Sequence, residues 1–257
     1  MMAKTVDLNC DCGESFGDWP MGNDAEILKI VTSANIACGF HASDPDNMAE
    51  TIRLAAQNGV AIGAHPGFDD KKGFGRRVIP MAPAEITRMV AYQIGAMAAM
   101  AALAGERVTY VKAHGALSNH ASAHREVADA VAAAVKGVDP SLTLLAVATT
   151  ELERAGHHAG LPVAAEIFAD RMYEPDGQLV SRKKPNAMVH DPQEAASRVV
   201  EMVTDGVLLA NDGSRLPTKV DSICVHGDGP EALPIARAVR DGLEEAGIAI
   251  APFAAHR

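Results

Sequence analysis

Asp7, Asn9 and Asp11 alternate with Val6, Leu8 and Cys10 near the start of the chain. A period of two sends the polar groups to one face of a strand and the apolar groups to the other. Similar polar placement recurs downstream: Asn35 and then His41; His65 after Gly63; Lys112 and His114 around Ala113; Glu166 and Asp170; His226 and Asp228. Carboxylates and imidazoles move protons, and an ammonium holds anions. Burying so many of them without use would cost several kcal/mol for each unpaired charge. Singly, each residue has a plainer reading. Asp11 can cap a turn at Gly13, His41 and His65 can be hydrogen-bonded loop histidines, and Glu166 can pair with Lys112 as a structural bridge. Their recurrence at strand ends points instead to one shared polar site.

Three loops add to the set: Asp11-Cys12-Gly13-Glu14-Ser15-Phe16-Gly17, His65-Pro66-Gly67-Phe68 and Gly73-Phe74-Gly75-Arg76-Arg77. Arg76 and Arg77 could fork onto a carboxylate or phosphate, or form a solvated charged pair. Asp11, His41, His65 and His114 have the ligand types of a divalent-ion site. They lie on separate segments and no HExxH is present, so no metal is assigned and a divalent ion stays an open alternative. Gly227-Asp228-Gly229-Pro230-Glu231-Ala232 matches GxGxxA. Its acidic neighbours and its place in the last strand–helix unit do not suit a pyrophosphate. Neither GxxxxGK[ST] nor GxSxG occurs, which removes a P-loop and a serine nucleophile elbow.

These residues need elements to position them. β-rich runs occur at Val6–Asp11, Ser33–Cys38, Val60–His65, Thr109–His114, Leu142–Ala148, Val163–Ala169, Ser222–His226 and Ile248–Phe253. Apolar spacing of three and four predicts helices at Pro45–Asn58, Ala84–Leu103, Arg125–Val135, Pro192–Thr204 and Pro230–Ala246. Alternation at this frequency means parallel strands with crossover helices. Seven or eight such units in 257 residues suit a closed (β/α) barrel in a single domain, 1–257. Tyr173–Asp221 is too long for a simple crossover. Its turn signals at Pro175-Asp176-Gly177 and Asn211-Asp212-Gly213 predict a hairpin beside the helix. In a parallel barrel the outer strand face packs on helices, so the polar residues must face inward, toward the C-terminal mouth.

Composition narrows the partners. The formal charge is −10, which disfavours nucleic acid and anionic membranes. No run of about 18 uninterrupted apolar residues predicts a membrane span. Polar residues also interrupt the first dozen positions, where a signal peptide would need its apolar region; a cytoplasmic protein is expected. Cys10, Cys12, Cys38 and Cys224 have no zinc-ribbon spacing and read as buried free thiols.

Several strings are specific. Asp7-Leu8-Asn9-Cys10-Asp11, Thr32-Ser33-Ala34-Asn35-Ile36-Ala37-Cys38-Gly39-Phe40-His41-Ala42, Ala61-Ile62-Gly63-Ala64-His65-Pro66-Gly67, His114-Gly115-Ala116-Leu117, Phe168-Ala169-Asp170-Arg171 and Cys224-Val225-His226-Gly227-Asp228 resemble the LamB/YcsF family, in order along the chain. Cys12, Ser43, Ala113 and Ser118 stand where that pattern has Leu, Gly, Pro and Tyr. The last two flank Lys112 and His114 and bear on substrate range. The resemblance implies a seven-stranded barrel like those of glycoside hydrolases and polysaccharide deacetylases. It also implies the role of the A subunit in a prokaryotic ATP-dependent 5-oxoprolinase, a hydrolase of a cyclic amide C–N bond. ATP is consumed by the complex, and its binding and the activation of 5-oxoproline fall chiefly to partner subunits B and C.

A lactam is a resonance-stabilised amide and a poor electrophile. Phosphorylating its oxygen makes the ring carbon electrophilic. The A subunit is then expected to complete ring opening to glutamate. That step needs a base for water, an acid for nitrogen and cations for the anionic groups. Asp11 or His114 is the expected base, and His65 or Glu166 the acid. Asp7, His41 and Asp170 are further catalytic candidates. Lys112, Arg171 and Arg76 are expected to bind anions, Asn9 and Asn35 to orient the lactam, and His226 and Asp228 to contribute to substrate binding. Two other readings share the same residues: a metal-dependent, deacetylase-like carbohydrate hydrolase, and a non-catalytic lactam-binding subunit.

Overall fold

In the computed structural model, which describes residues 4–226, 229 and 231–254, the alternation of β1 (Thr5–Cys12) resolves as expected. Val6, Leu8 and Cys10 join the apolar layer beneath the helices, while Asp7, Asn9 and Asp11 point to the barrel axis. Both faces are buried, because a parallel barrel leaves its strands no solvent side.

Six more strands complete the ring: β2 (Ser33–Ala37), β3 (Ala61–His65), β4 (Val108–Lys112), β5 (Thr143–Val147), β6 (Val163–Phe168) and, after the hairpin of β7 (Val207–Leu209) and β8 (Arg215–Pro217), β9 (Ser222–Val225). All seven neighbours pair in parallel, and β9 returns to β1, closing a seven-stranded barrel. The register sets Asp11 beside Asn35, Ala37 beside His65, and Glu166 beside Ser222. The expected eighth run, Ile248–Phe253, contributes only β10 (Ala249–Ile250), alongside the start of β1. Pro252 has no N–H for a ladder. Beyond it Phe253 turns under the barrel against Tyr110, ring centroids 5.0 Å apart.

The expected helices form as α2 (Pro45–Gln57), α3 (Pro83–Leu103), α5 (Arg125–Val138), α7 (Pro192–Asp205) and α8 (Ala232–Glu245). Asp44 and Asp191 cap α2 and α7 through backbone N–H groups, each ahead of a proline in the first turn. The short α1 (Asp24–Ile27), α4 (Gly115–Ala123) and α6 (Glu151–Ala159) were not anticipated. At four and nine residues α1 and α4 give too few turns for a clear apolar stripe, whereas α6 is amphipathic and buries Leu152, Ala155 and Gly156. Both turn signals of the long crossover are used. Tyr173 bridges Leu179 across one, and β7 pairs antiparallel with β8 across the other.

In α3, as expected, Glu85, Arg88 and Gln93 interrupt the apolar run. By length and composition its 21 residues are apolar enough to cross a bilayer. It lies instead in the outer layer, turning Ile86, Val90, Ile94, Met97 and Ala101 inward.

Candidate active site

The floor of the barrel is a polar column. Asp7 accepts hydrogen bonds from Thr32 and Ser33, at 2.7 and 2.6 Å, and from Ser222. Burial outweighs these donors and raises its carboxyl to about 6. One layer up, Asn9 donates to Ser222 at 2.7 Å and to Glu166 at 3.0 Å. Asn35 donates to Asn9 at 2.7 Å and to Asp11 at 2.8 Å, and Tyr110 donates to Asn35. Thus Asn9, Asn35 and Glu166 build the support of the site rather than its surface.

Lys112 crowns the column. Its Nζ lies 2.9 Å from Asp11 Oδ1, 2.9 Å from Glu166 Oε1 and 3.0 Å from Cys224 Sγ. Burial opposes the ammonium, but Asp11 and its neighbours prevail and hold its pKa well above the usual lysine value. Burial likewise opposes the Asp11 carboxylate, and Lys112 and His65 outweigh it, so Asp11 sits well below the usual range. At Glu166 burial wins, and that carboxyl is raised. One ammonium serves two buried carboxyls, and Asp11 keeps the larger share.

Above this lies the imidazole group. His65 Nδ1 donates to the Lys112 carbonyl at 2.8 Å, and its Nε2 faces Asp11 Oδ2 at 3.4 Å and His114 Nδ1 at 3.1 Å. His114 Nε2 donates to the Phe74 carbonyl at 2.9 Å. His41 stacks on His114 with ring centroids 3.7 Å apart. Burial, then the neighbouring imidazoles, push His114 down to about 3 and His41 well below its ordinary value. Both are therefore neutral. Gly75, at φ +61°, is where the loop closes on them: a Cβ there would lie 2.7 Å from His41 Cβ and 2.8 Å from His114 Cδ2.

Glu14 completes the group. Its Oε1 lies 3.8 Å from His41 Nε2 and 3.9 Å from His114 Nδ1. Ligand atoms of Glu14, His41, His65 and His114 all fall within 4.8 Å of one another, a set able to hold a metal ion. Asp11, named with the three histidines from sequence, instead belongs to the lysine triad, and Glu14 takes its place. The acidic loop Asp11–Gly17 was the only sequence signal for it.

These groups open into a cavity of about 570 Å³, whose lining includes Asp11, Glu14, His65, Lys112 and His114. Arg76, Arg171, Arg182 and His226 line it as well. Arg171 is buried and held by the Val180 carbonyl at 2.7 Å; burial and Arg182 push it down to about 10. His226 Nδ1 meets Asp170 at 2.7 Å, and Arg182 approaches its Nε2 at 3.1 Å. Burial would raise Asp170, but His226 and nearby arginines hold it below its ordinary value. Asp170 therefore orients His226 from outside the cavity. Arg182, Phe74 and Cys224 were not anticipated, because segments far apart in the chain bring them here. Asp228 falls outside the described residues.

The arrangement offers an ionised carboxylate, neutral imidazoles and three guanidiniums to one small molecule. It suits hydrolysis of an anionic substrate. Known proteins share the architecture. The A subunit of a 5-oxoprolinase from Rhodopseudomonas palustris is 58% identical over 250 residues, covering 97% of this chain and 98% of that one. The crystal structure of a lactam utilization protein from Thermus thermophilus superposes with a TM-score of 0.91 at 45% identity, covering 97% of this chain and 100% of that one. The catalytic domain of a peptidoglycan N-acetylglucosamine deacetylase from Eubacterium rectale matches at a TM-score of 0.53 and 11% identity, over 99% of this chain and 93% of that one. At that identity the likeness is one of fold alone. The LamB/YcsF family model spans residues 6–257, and the chain belongs to that family.

Proposed function

We propose that this single-domain chain is the A subunit of an ATP-dependent 5-oxoprolinase, working in the cytoplasm with partner subunits B and C. The observation that carries the reading is near-full-length similarity to the A subunit of a bacterial 5-oxoprolinase, joined to a cavity lined by both Asp11 and the guanidiniums of Arg76, Arg171 and Arg182. 5-Oxoproline is a carboxylate, and its O-phosphorylated form is a polyanion. Three guanidiniums in one cavity suit both. The partner subunits consume ATP and supply the phosphorylated ring.

Asp11 takes a proton from water, whose oxygen attacks the ring carbon. The ring C–N bond then breaks, leaving an acyl phosphate that a second water hydrolyses to glutamate and inorganic phosphate. The proton on Asp11 passes to the departing nitrogen. An acid held this far below its usual range is a weak base, which suffices for a carbon already activated by phosphorylation. Lys112 keeps Asp11 ionised, and Glu166, Asn9 and Asn35 keep Lys112 in place.

The test mixes the chain with subunits B and C, ATP and 5-oxoproline and measures glutamate with each component left out. Glutamate should form only in the full mixture. Undiminished glutamate without this chain would refute the assignment.

A further inference from the structure

The geometry points to a divalent transition-metal site of the zinc class, built from His65 Nε2, His114 Nδ1, a Glu14 carboxylate oxygen and His41. Two backbone carbonyls fix the tautomers. A carbonyl can only accept, so His65 Nδ1 and His114 Nε2 carry the hydrogens in their bonds to Lys112 and Phe74. That leaves His65 Nε2 and His114 Nδ1 as the ring nitrogens that can offer a lone pair. These two lone pairs face each other at 3.1 Å, with Asp11 Oδ2 3.4 Å from the first. Acceptors aimed at one another at that range need a cation between them.

A proton on His65 Nε2 would answer that contact alone. It leaves His41 unexplained. His41 is 1% exposed, and neither ring nitrogen has a hydrogen-bond partner. Its Nε2 points toward Glu14 at 3.8 Å, too far for a hydrogen bond. An ion answers both features. Four atoms within 4.8 Å of one another approach the ~3.4 Å edge of a tetrahedron with bonds of about 2.1 Å. His41 must tilt out of its stack on His114 to complete it. Gly67 leaves it room, since a Cβ there would lie 2.7 Å from His41 Nδ1. Backbone carbonyls behind two ligating imidazoles are the usual outer support of such sites.

Three nitrogens and one carboxylate favour zinc, cobalt or nickel over magnesium or calcium. Glu14, His65 and His114 line the cavity, so an ion there could meet substrate. Its presence rests on this geometry alone. Its role, polarising the oxygen on the ring carbon, rests on the lactam reading above.

The experiment strips the full-length chain with a chelator and titrates it with Zn²⁺ in a calorimeter, then with Co²⁺ while visible absorption is recorded. One ion per chain should bind, and Co²⁺ should show the intense bands of tetrahedral coordination. His65→Gln and His114→Gln should each weaken binding by about 100-fold or abolish it. His120→Gln, at the end of α4 beside His124, should bind as the parent does. Circular dichroism reports whether each variant folds. Glu14→Gln, which keeps all three imidazoles, should also weaken binding and gives a second arm if a histidine variant unfolds. Absence of stoichiometric binding, or binding unchanged in both His65→Gln and Glu14→Gln, would overturn the site. None of these readouts uses glutamate formation, so the proposal fails or stands apart from the lactam reading.

Discussion

Replacing Lys112 by Met tests the lysine triad most directly. Met nearly keeps the length of the side chain and removes its charge, leaving Asp11 and Glu166 buried without their shared ammonium. Breaking a buried pair in this way costs about 3–5 kcal/mol. At this chain length that is roughly 6–20 °C of melting temperature. The cost should depend on pH. Without the cation, burial and mutual repulsion raise the folded pKa of at least one carboxyl above its unfolded value. Such a group is fully compatible with the fold below its unfolded pKa and costs stability as pH rises through its folded pKa. In the parent, Asp11 is depressed, so its contribution is present above the unfolded value and lost only in acid. The two stability curves must therefore separate as pH rises, by at most ~1.4 kcal/mol per pH unit for one carboxyl. Urea unfolding at pH 5 and pH 8 measures this. The deficit should be clearly larger at pH 8, and adding Glu166→Gln should recover part of it there. An equal deficit at both pH values would refute the argument that Lys112 keeps these carboxyls charged.

Asp11→Ala should lower glutamate formation by the reconstituted complex by about 10²-fold or more while the chain still folds; a variant with near-parent turnover would remove Asp11 as base. Asp7, raised to about 6, costs the fold stability as pH rises through that value. Asp7→Asn should remove about 3 kcal/mol of the parent's pH dependence between pH 4 and 8, and an unaltered slope would exclude that carboxyl as its source. Gly63→Ala places a Cβ against the ring of Tyr110 inside the barrel, and about 1–3 kcal/mol of overpacking should appear in its unfolding free energy.

Much of the fold was legible because the barrel imposes a strict rule on its strands. Each needs an apolar outer face, so polar residues at period two in β1 had to line the axis. The helices that carry three or more turns announced themselves through spacing and through Asp-Pro starts such as Asp44-Pro45 and Asp191-Pro192. The site was legible in membership and not in depth. Sequence put Glu166 and Lys112 on the same footing, yet Lys112 reaches the cavity and Glu166 stands behind it. Depth depends on the stagger between strands, which aligns Asp11 with Asn35 and Glu166 with Ser222. No local pattern encodes that stagger. Glu14 was hidden for a related reason, since a loop residue has no periodicity to reveal where it points.

The column beneath the cavity explains why these roles cannot be changed one at a time. From Ser222 through Asp7, Asn9, Asn35 and Glu166 to Lys112, most donors meet an acceptor that is itself held by another member. A buried network of this kind rigidifies when satisfied and costs more than its separate bonds when one member is lost. Asp11 is therefore positioned in part by residues, Asn9, Asn35 and Glu166, that do not line the cavity. Replacing Asn9 or Asn35 by an apolar residue should lower activity without touching the cavity wall. The loss should appear in turnover at least as much as in substrate affinity, because the displaced group is the carboxylate that faces water. Double variants within the column should couple non-additively, whereas a column variant combined with Arg182→Ala, which bonds no member of the column, should add. Additive behaviour inside the column would mean that each residue supports the site independently, and that the shared architecture inferred for Asp11 is wrong.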